Sequence, residues 1–180
     1  MAIEPELELS MSSFETKETL RESLRQTRVS NLLLGEGAEA PRDFFCLEVG
    51  KAGSTVAKVG LISNVVGGSP SFRLYFGLLW VGFNDRVAVI CSEPLRLVKE
   101  VELQSVFWTF LDVPGCGHVC VLCETAIAAV SLNGTVLWRV DTDLITDFSV
   151  DGTIARLQPS DAPSIRVDLI SGNRLPGREA

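Results

Sequence analysis

Two dipeptides, Asn133-Gly134 and Asp151-Gly152, set the strongest limit on how this chain folds. Type I′ turns need positive φ at both central residues, which Asn-Gly and Asp-Gly accept with little strain. Each dipeptide is therefore expected to join two antiparallel strands. The runs ahead of them, "AIAAVSL" and "ITDFSV", are rich in Ile, Val and Phe and have strand rather than helix length. "RVAVICS" before Glu93-Pro94 and "SIRVDLI" before Ser171-Gly172 repeat the arrangement. "GKAGST" at 50–55 reads as a further hairpin turn, because a Walker phosphate loop places its lysine after the second glycine and Lys51 precedes Gly53. The expected class is mainly β, an antiparallel meander of hairpins.

The hairpins recur. Runs beginning at Val87, Ile127 and Ile165 are separated by roughly 40 residues, a spacing that belongs to four-stranded propeller blades. After one gap, Val98, Leu137 and Leu175 take the same place in the second strand, and a weaker copy from Phe45 brings Val56 there. "AAVSLNGTVLW" at 128–138 and "VDLISGNRL" at 167–175 resemble the quinoprotein-type β-propeller repeat: a strand, a Gly-containing turn, then a strand ending near Trp. Ser131 replaces the usual Asp in one copy, and Pro176 stands where Trp is expected in the other. The resemblance covers residues 87–176 and implies blade-like hairpin geometry with no cofactor. Blades in a propeller-like arrangement and a two-sheet sandwich both satisfy this pattern.

The first 43 residues follow another pattern. Leu7, Leu9 and Met11 alternate with Glu6, Glu8 and Ser10, as in a half-buried strand. Ser12 and Glu15 are spaced as a capping box ahead of a short helix over 13–28, with Leu20 and Leu24 one turn apart. The expected layout is one domain over 1–180: a strand and helix segment at 1–43, hairpin repeats at 44–176, and a frayed tail at 177–180. "GEGAEAPRD" and "VVGGSPS" read as loops.

Charge narrows the function classes. With 16 basic against 23 acidic residues, the net charge is −7. Nucleic acid is not an expected partner, because phosphate binding relies on a dense basic face. Arg21, Arg25 and Arg28 form the densest basic run and read as a solvated helix surface. "YFGLLWVGF" at 75–83 is too short to span a bilayer, so no membrane partner is expected. The opening "MAIEPELELS" carries no basic or apolar region of a secretory signal, and five cysteines lack framework spacing. The expected setting is cytoplasmic and reducing, with free thiols.

Only one stretch is dense in chemistry-bearing residues: "GCGHVCVLCET" places Cys116, the sole histidine His118, Cys120 and Cys123 within eight positions. On one extended strand Cys116, His118 and Cys120 would share a face, and Cys123 would point to the other. Residues four apart on a strand are about 13 Å apart, too far to share an ion at Zn–S distances near 2.3 Å. The favoured reading is packing, since buried cysteine behaves as a small hydrophobe. The alternative is a metal- or thiol-dependent activity centred on 116–123, with zinc as its cofactor. A Cys-His or triad enzyme would have to use His118 with Cys116 or Asp112. The acidic stretch Asp141, Asp143, Asp147 and Asp151 lacks the calcium-loop pattern.

Aromatic residues supply the binding candidates. Alternation puts Phe110 on the face of Trp108, and exposed aromatic area is enriched at binding hot spots. Trp108, Phe110 and Trp138 are the nominated binding residues, and no catalytic residue is nominated. The expected function is a non-enzymatic interaction module of a soluble bacterial-type β-repeat protein. It would carry no cofactor and bind a protein partner or a second copy of itself as a homodimer.

Overall fold

A computed structural model describes residues 7–26, 28–37, 39–65 and 68–176. The expected tail at 177–180 and Glu6 of the first strand pattern lie outside them. Among the described residues, sixteen strands form four four-stranded sheets, which resemble propeller blades, and there is one helix. The first holds β1 (Leu7–Phe14), β2 (Ser30–Leu34), β3 (Asp43–Lys51) and β4 (Ser54–Ser63), in the order β1-β3-β4-β2. The other three are meanders in chain order. They comprise β5 (Ser71–Tyr75), β6 (Leu78–Phe83), β7 (Arg86–Ser92) and β8 (Leu95–Glu102); then β9 (Phe107–Leu111), β10 (Val119–Cys123), β11 (Ala126–Val130) and β12 (Val136–Asp141). The last holds β13 (Ile145–Asp151), β14 (Ile154–Pro159), β15 (Ile165–Asp168) and β16 (Arg174–Leu175). No helix among the described residues is long and apolar enough to cross a membrane.

The chain divides into two compact units, Met1–Gly68 with Ile90–Leu97, and Ser69–Val89 with Val98–Ala180. In the first, β1 is not a separate appendage. It pairs antiparallel with β3 from Leu7↔Lys51 to Phe14↔Phe44, and β2 runs parallel to β4. The helix α1 (Lys17–Arg25) is shorter than its sequence signal, because β1 continues through Phe14. The cap is Thr16, not Ser12: its hydroxyl accepts from the Thr19 N–H at 3.1 Å, and the Thr19 hydroxyl accepts from the Thr16 N–H at 3.3 Å. Leu20 and Leu24 bury against Phe44, Cys46 and Ile62. Gly60 lets the helix approach this closely, since a Cβ there would lie 2.8 Å from Leu24 and Leu33 methyls.

The strand pairs around the Gly-containing turns form as the sequence requires, but the turn geometry differs. Asp151 pairs with Ile154, so the loop is Gly152-Thr153 with φ +58° at the glycine, the first-position glycine of a type II′ turn. Between β11 and β12 the Gly134 N–H donates to the Ser131 carbonyl and Gly134 alone is left-handed. The residues with paired positive φ are Ala52-Gly53 and Phe76-Gly77, each between directly paired strand ends. Neither contains Asn or Asp, which is why the sequence signal misplaced the type I′ turns.

Three of the sheets repeat in sequence. Strands β7, β11 and β15 open at Arg86, Ala126 and Ile165, 40 and 39 residues apart. Val98, Leu137 and Leu175, aligned by the repeat, all fall in the fourth strand of their sheets. Leu137 is also the extra residue of a β-bulge, since Ala129 faces Trp138 and Val130 faces Val136. Val56, from the weaker copy, is the extra residue of a bulge in β4.

The second unit buries two apolar clusters against opposite faces of β10. Val119, Val121 and Cys123 meet Trp80, Val87, Val89, Phe107 and Phe110. Cys120 and Leu122 meet Leu111, Ile127, Leu157, Val167 and Leu169. All five residues of β10 are buried, as the unbroken apolar run "VCVLC" demands of a strand covered on both faces.

Candidate functional site

Three of the four sulfur-cluster residues come together, and the turn before β10 is the reason. β10 begins only at Val119, and the segment ahead of it is not extended. Gly115 has φ +71° and the Cys116 N–H donates to the Val113 carbonyl at 3.4 Å, which folds Cys116 back. The thiol lies 3.0 Å from Nε2 of His118. The ligand atoms of Cys116, His118 and Cys120 all fall within 4.8 Å of one another. The separation expected between Cys116 and Cys120 assumed an extended chain and does not hold. Cys123 lies in the other cluster, against Phe107 and Trp80, and takes no part in the group.

The Leu169 carbonyl faces this group. It accepts from His118 Nε2 at 2.8 Å and from the Cys120 thiol at 3.5 Å. A carbonyl only accepts, so a neutral His118 bonded in this way carries its proton on Nε2 and has no lone pair there for the Cys116 proton. That arrangement does not activate Cys116 as a nucleophile. Asp112, the other partner a triad would need, instead accepts from the Tyr75 hydroxyl. The shelf under His118 is well fixed. Trp138 meets the imidazole edge-on with centroids 6.0 Å apart, and a Cβ at Gly172 would sit 2.6 Å from the indole. In the same turn, Asp168 Oδ1 accepts from the Ile170 and Ser171 N–H groups at 2.9 Å each. These bonds, Ser171 foremost, hold the Asp168 carboxyl below its ordinary range.

The aromatic candidates separate. Trp108 is 39% exposed and packs edge-on against Phe148 at 5.3 Å. Phe110 does not share its face: it is buried and lies 5.0 Å from Phe107. A bulge explains the change of parity. Phe107 faces Cys123 and Thr109 faces Leu122, so Trp108 is an extra residue, and Phe107 and Phe110 turn the same way. Trp138 is half-buried against His118. Among the described residues the acidic stretch forms no ligand group: Asp141 pairs with Arg139 at 2.6 Å, and Asp151 sits at a hairpin end. Val136 and Leu137, together with Leu132 in the preceding turn, are exposed apolar residues that sequence alternation did not single out.

Burial pushes the Cys123 thiol from its ordinary 9.0 up to about 12 and the Cys46 thiol up to about 11. Cys120 also rises to about 12, through burial first and then the neighbouring Cys116. These thiols stay protonated in the fold at a pH where an unfolded chain releases its protons. Stability is therefore complete below pH 9.0 and falls as pH climbs toward 11 or 12. Urea unfolding under reducing conditions is expected to show a midpoint that drops between about pH 8 and about pH 10, and drops less steeply in Cys123→Ala. Parallel slopes for the two proteins would contradict this.

No protein family and no curated protein matches the sequence. The fold does match solved structures. BamB from Moraxella catarrhalis aligns with a TM-score of 0.54 at 13% identity, over 93% of this chain and 51% of that one. The dihydro-heme d1 dehydrogenase NirN, solved in complex with DHE, aligns with a TM-score of 0.51 at 13% identity, over 74% of this chain and 34% of that one. A computationally designed protein, Ika8, aligns with a TM-score of 0.51 at 12% identity, over 74% and 45%. The chain spans about half the length of BamB and less of the others. At these identities the likeness is one of fold: β-propeller blades.

Proposed function

We propose that this chain is a non-enzymatic interaction module, a blade-built scaffold that binds a second copy of itself through apolar side chains on the edge of its third sheet. One observation carries the reading. One edge strand of that sheet, β12, contains a bulge that turns the large apolar Leu137 outward, whereas Trp108, on the bulge of the opposite edge strand β9, packs against Phe148. Leu137 is 53% exposed and sits beside Val136 and Leu132. A bulge blunts a sheet edge against backbone pairing, so contact here is made by side chains and not by an added strand. Apolar residues grouped on one edge are of the kind that partner binding covers. The matched folds include a protein titled a dehydrogenase and a designed protein, so fold likeness alone does not select among functions.

Sedimentation equilibrium over a range of concentrations tests the proposal. The wild-type chain is expected to dimerise, and Leu137→Lys to weaken the dimer at least about tenfold. The substituted side chain is exposed, so folding should change by no more than about 0.5 kcal/mol. A wild-type chain that stays monomeric, or a Leu137→Lys protein that dimerises as well as wild type, overturns the reading.

A further inference from the structure

We propose that Cys116, His118 and Cys120 form a binding site for one closed-shell, thiophilic divalent cation of the zinc class, with the Leu169 carbonyl as fourth donor. This is independent of the self-association reading. Two sulfurs and one imidazole are the donor types that zinc selects. A tetrahedral zinc with Zn–S near 2.3 Å and Zn–N near 2.0 Å holds its ligand atoms roughly 3.5–3.8 Å apart. Here the three ligand atoms already lie within 4.8 Å of one another, and Cys116 Sγ is 3.0 Å from Nε2. These separations differ from those an ion needs by about 1 Å or less.

The surroundings suit such a site. Leu169 is fully buried and, among the described residues, its carbonyl takes no backbone N–H; it is aimed at Nε2 and the Cys120 thiol. When an ion enters, each thiol releases one proton, the imidazole proton passes by way of solvent from Nε2 to Nδ1, and the freed Nε2 lone pair turns to the metal. Two thiolates balance the dication, so the filled site is neutral at the border of the apolar cluster that holds Cys120 and Leu169. Cys116 and His118 are half-buried and not sealed, which leaves a path for entry. The edge-on Trp138 and the Asp168–Asn173 turn fix the imidazole and the carbonyl beforehand. Because Cys116 and Cys120 flank the start of β10 while Leu169 follows β15, the ion would act as a clamp between the third and fourth sheets.

The test is a cobalt titration of reduced, chelator-treated full-length protein, with zinc as competitor. Wild type is expected to bind one Co²⁺ per chain, with a thiolate-to-cobalt charge-transfer band and the intense visible bands of tetrahedral cobalt, both bleached by zinc. Cys116→Ser and His118→Ala are expected to lose the charge-transfer band or bind cobalt more than about 100-fold weaker, beyond the usual effect of altering a ligand's hydrogen-bond partner. Both residues lie outside the strands and are only half-buried, and far-ultraviolet circular dichroism would verify that the variants fold. Cys91→Ser, distant in sequence, should titrate as wild type. In thermal melts zinc should stabilise wild type and leave His118→Ala unmoved. No charge-transfer band in wild type, or the same band and affinity in both variants, overturns the assignment.

Discussion

Gly82→Ala is expected to destabilise the second unit by about 3 kcal/mol or more, at or beyond the upper end of ordinary overpacking. Gly82 lies in β6 opposite Ser71 and has unexceptional backbone angles, so the effect is purely one of space. A Cβ there would fall 2.2 Å from the Phe107 ring. The ring has little room to retreat, because Phe110 stands against it with centroids 5.0 Å apart. A methyl at this point must move an aromatic pair in the centre of a buried cluster. Chemical unfolding measures the loss, and a second substitution tests the cause. Phe107→Leu removes the ring edge, so Gly82→Ala should cost markedly less in that background than in wild type. Equal costs in the two backgrounds would show that the ring is not what excludes the side chain.

Trp80, two residues earlier on the same strand, should give a comparable loss by the opposite route. It is fully buried, and Trp80→Ala is expected to cost about 3–5 kcal/mol by opening a cavity among Val87, Val89, Phe107 and Val121. Its indole Nε1 is buried without a hydrogen-bond partner among the described residues. An unpaired buried donor costs about 1–3 kcal/mol, so Trp80→Phe loses packing while removing that penalty. The phenylalanine variant should therefore stay within about 1.5 kcal/mol of wild type. Similar urea midpoints for Ala and Phe variants would mean that indole volume is not what this position supplies.

What the sequence disclosed was local. Asp151-Gly152, Asn133-Gly134 and Lys51 to Ser54 mark strand reversals because turn chemistry is set within a few residues. The helix was visible through Leu20 and Leu24. Turn type was less legible: Asp151 belongs to a strand pair, and the glycine alone carries the positive φ. Non-local pairing left even less trace. Nothing in "LELSMSSF" announces that its partner is Asp43–Lys51, or that Ser30–Leu34 runs parallel to β4. Both errors at the candidate sites share a physical origin. Strict alternation put Phe110 beside Trp108, and uniform extension kept Cys116 away from Cys120. A bulge at Trp108 reversed the first, and a left-handed Gly115 reversed the second. Bulges depend on the opposing strand, which a single sequence does not display. The dipeptide Pro114-Gly115 is itself a turn signal, and it could have drawn Cys116 toward His118.

The complete burial of β10 has an evolutionary consequence. A change of volume at Val121 is absorbed in one cluster and a change at Leu122 in the other, while any shift of their common backbone reaches both. Close packing makes even one methylene felt. Neutral drift along this strand should thus proceed through correlated replacements on both sides, whereas the exposed ends of the sheets are free to vary singly. Such a chain diversifies most readily at its turns and edge strands, with the central strands of its blades held nearly fixed.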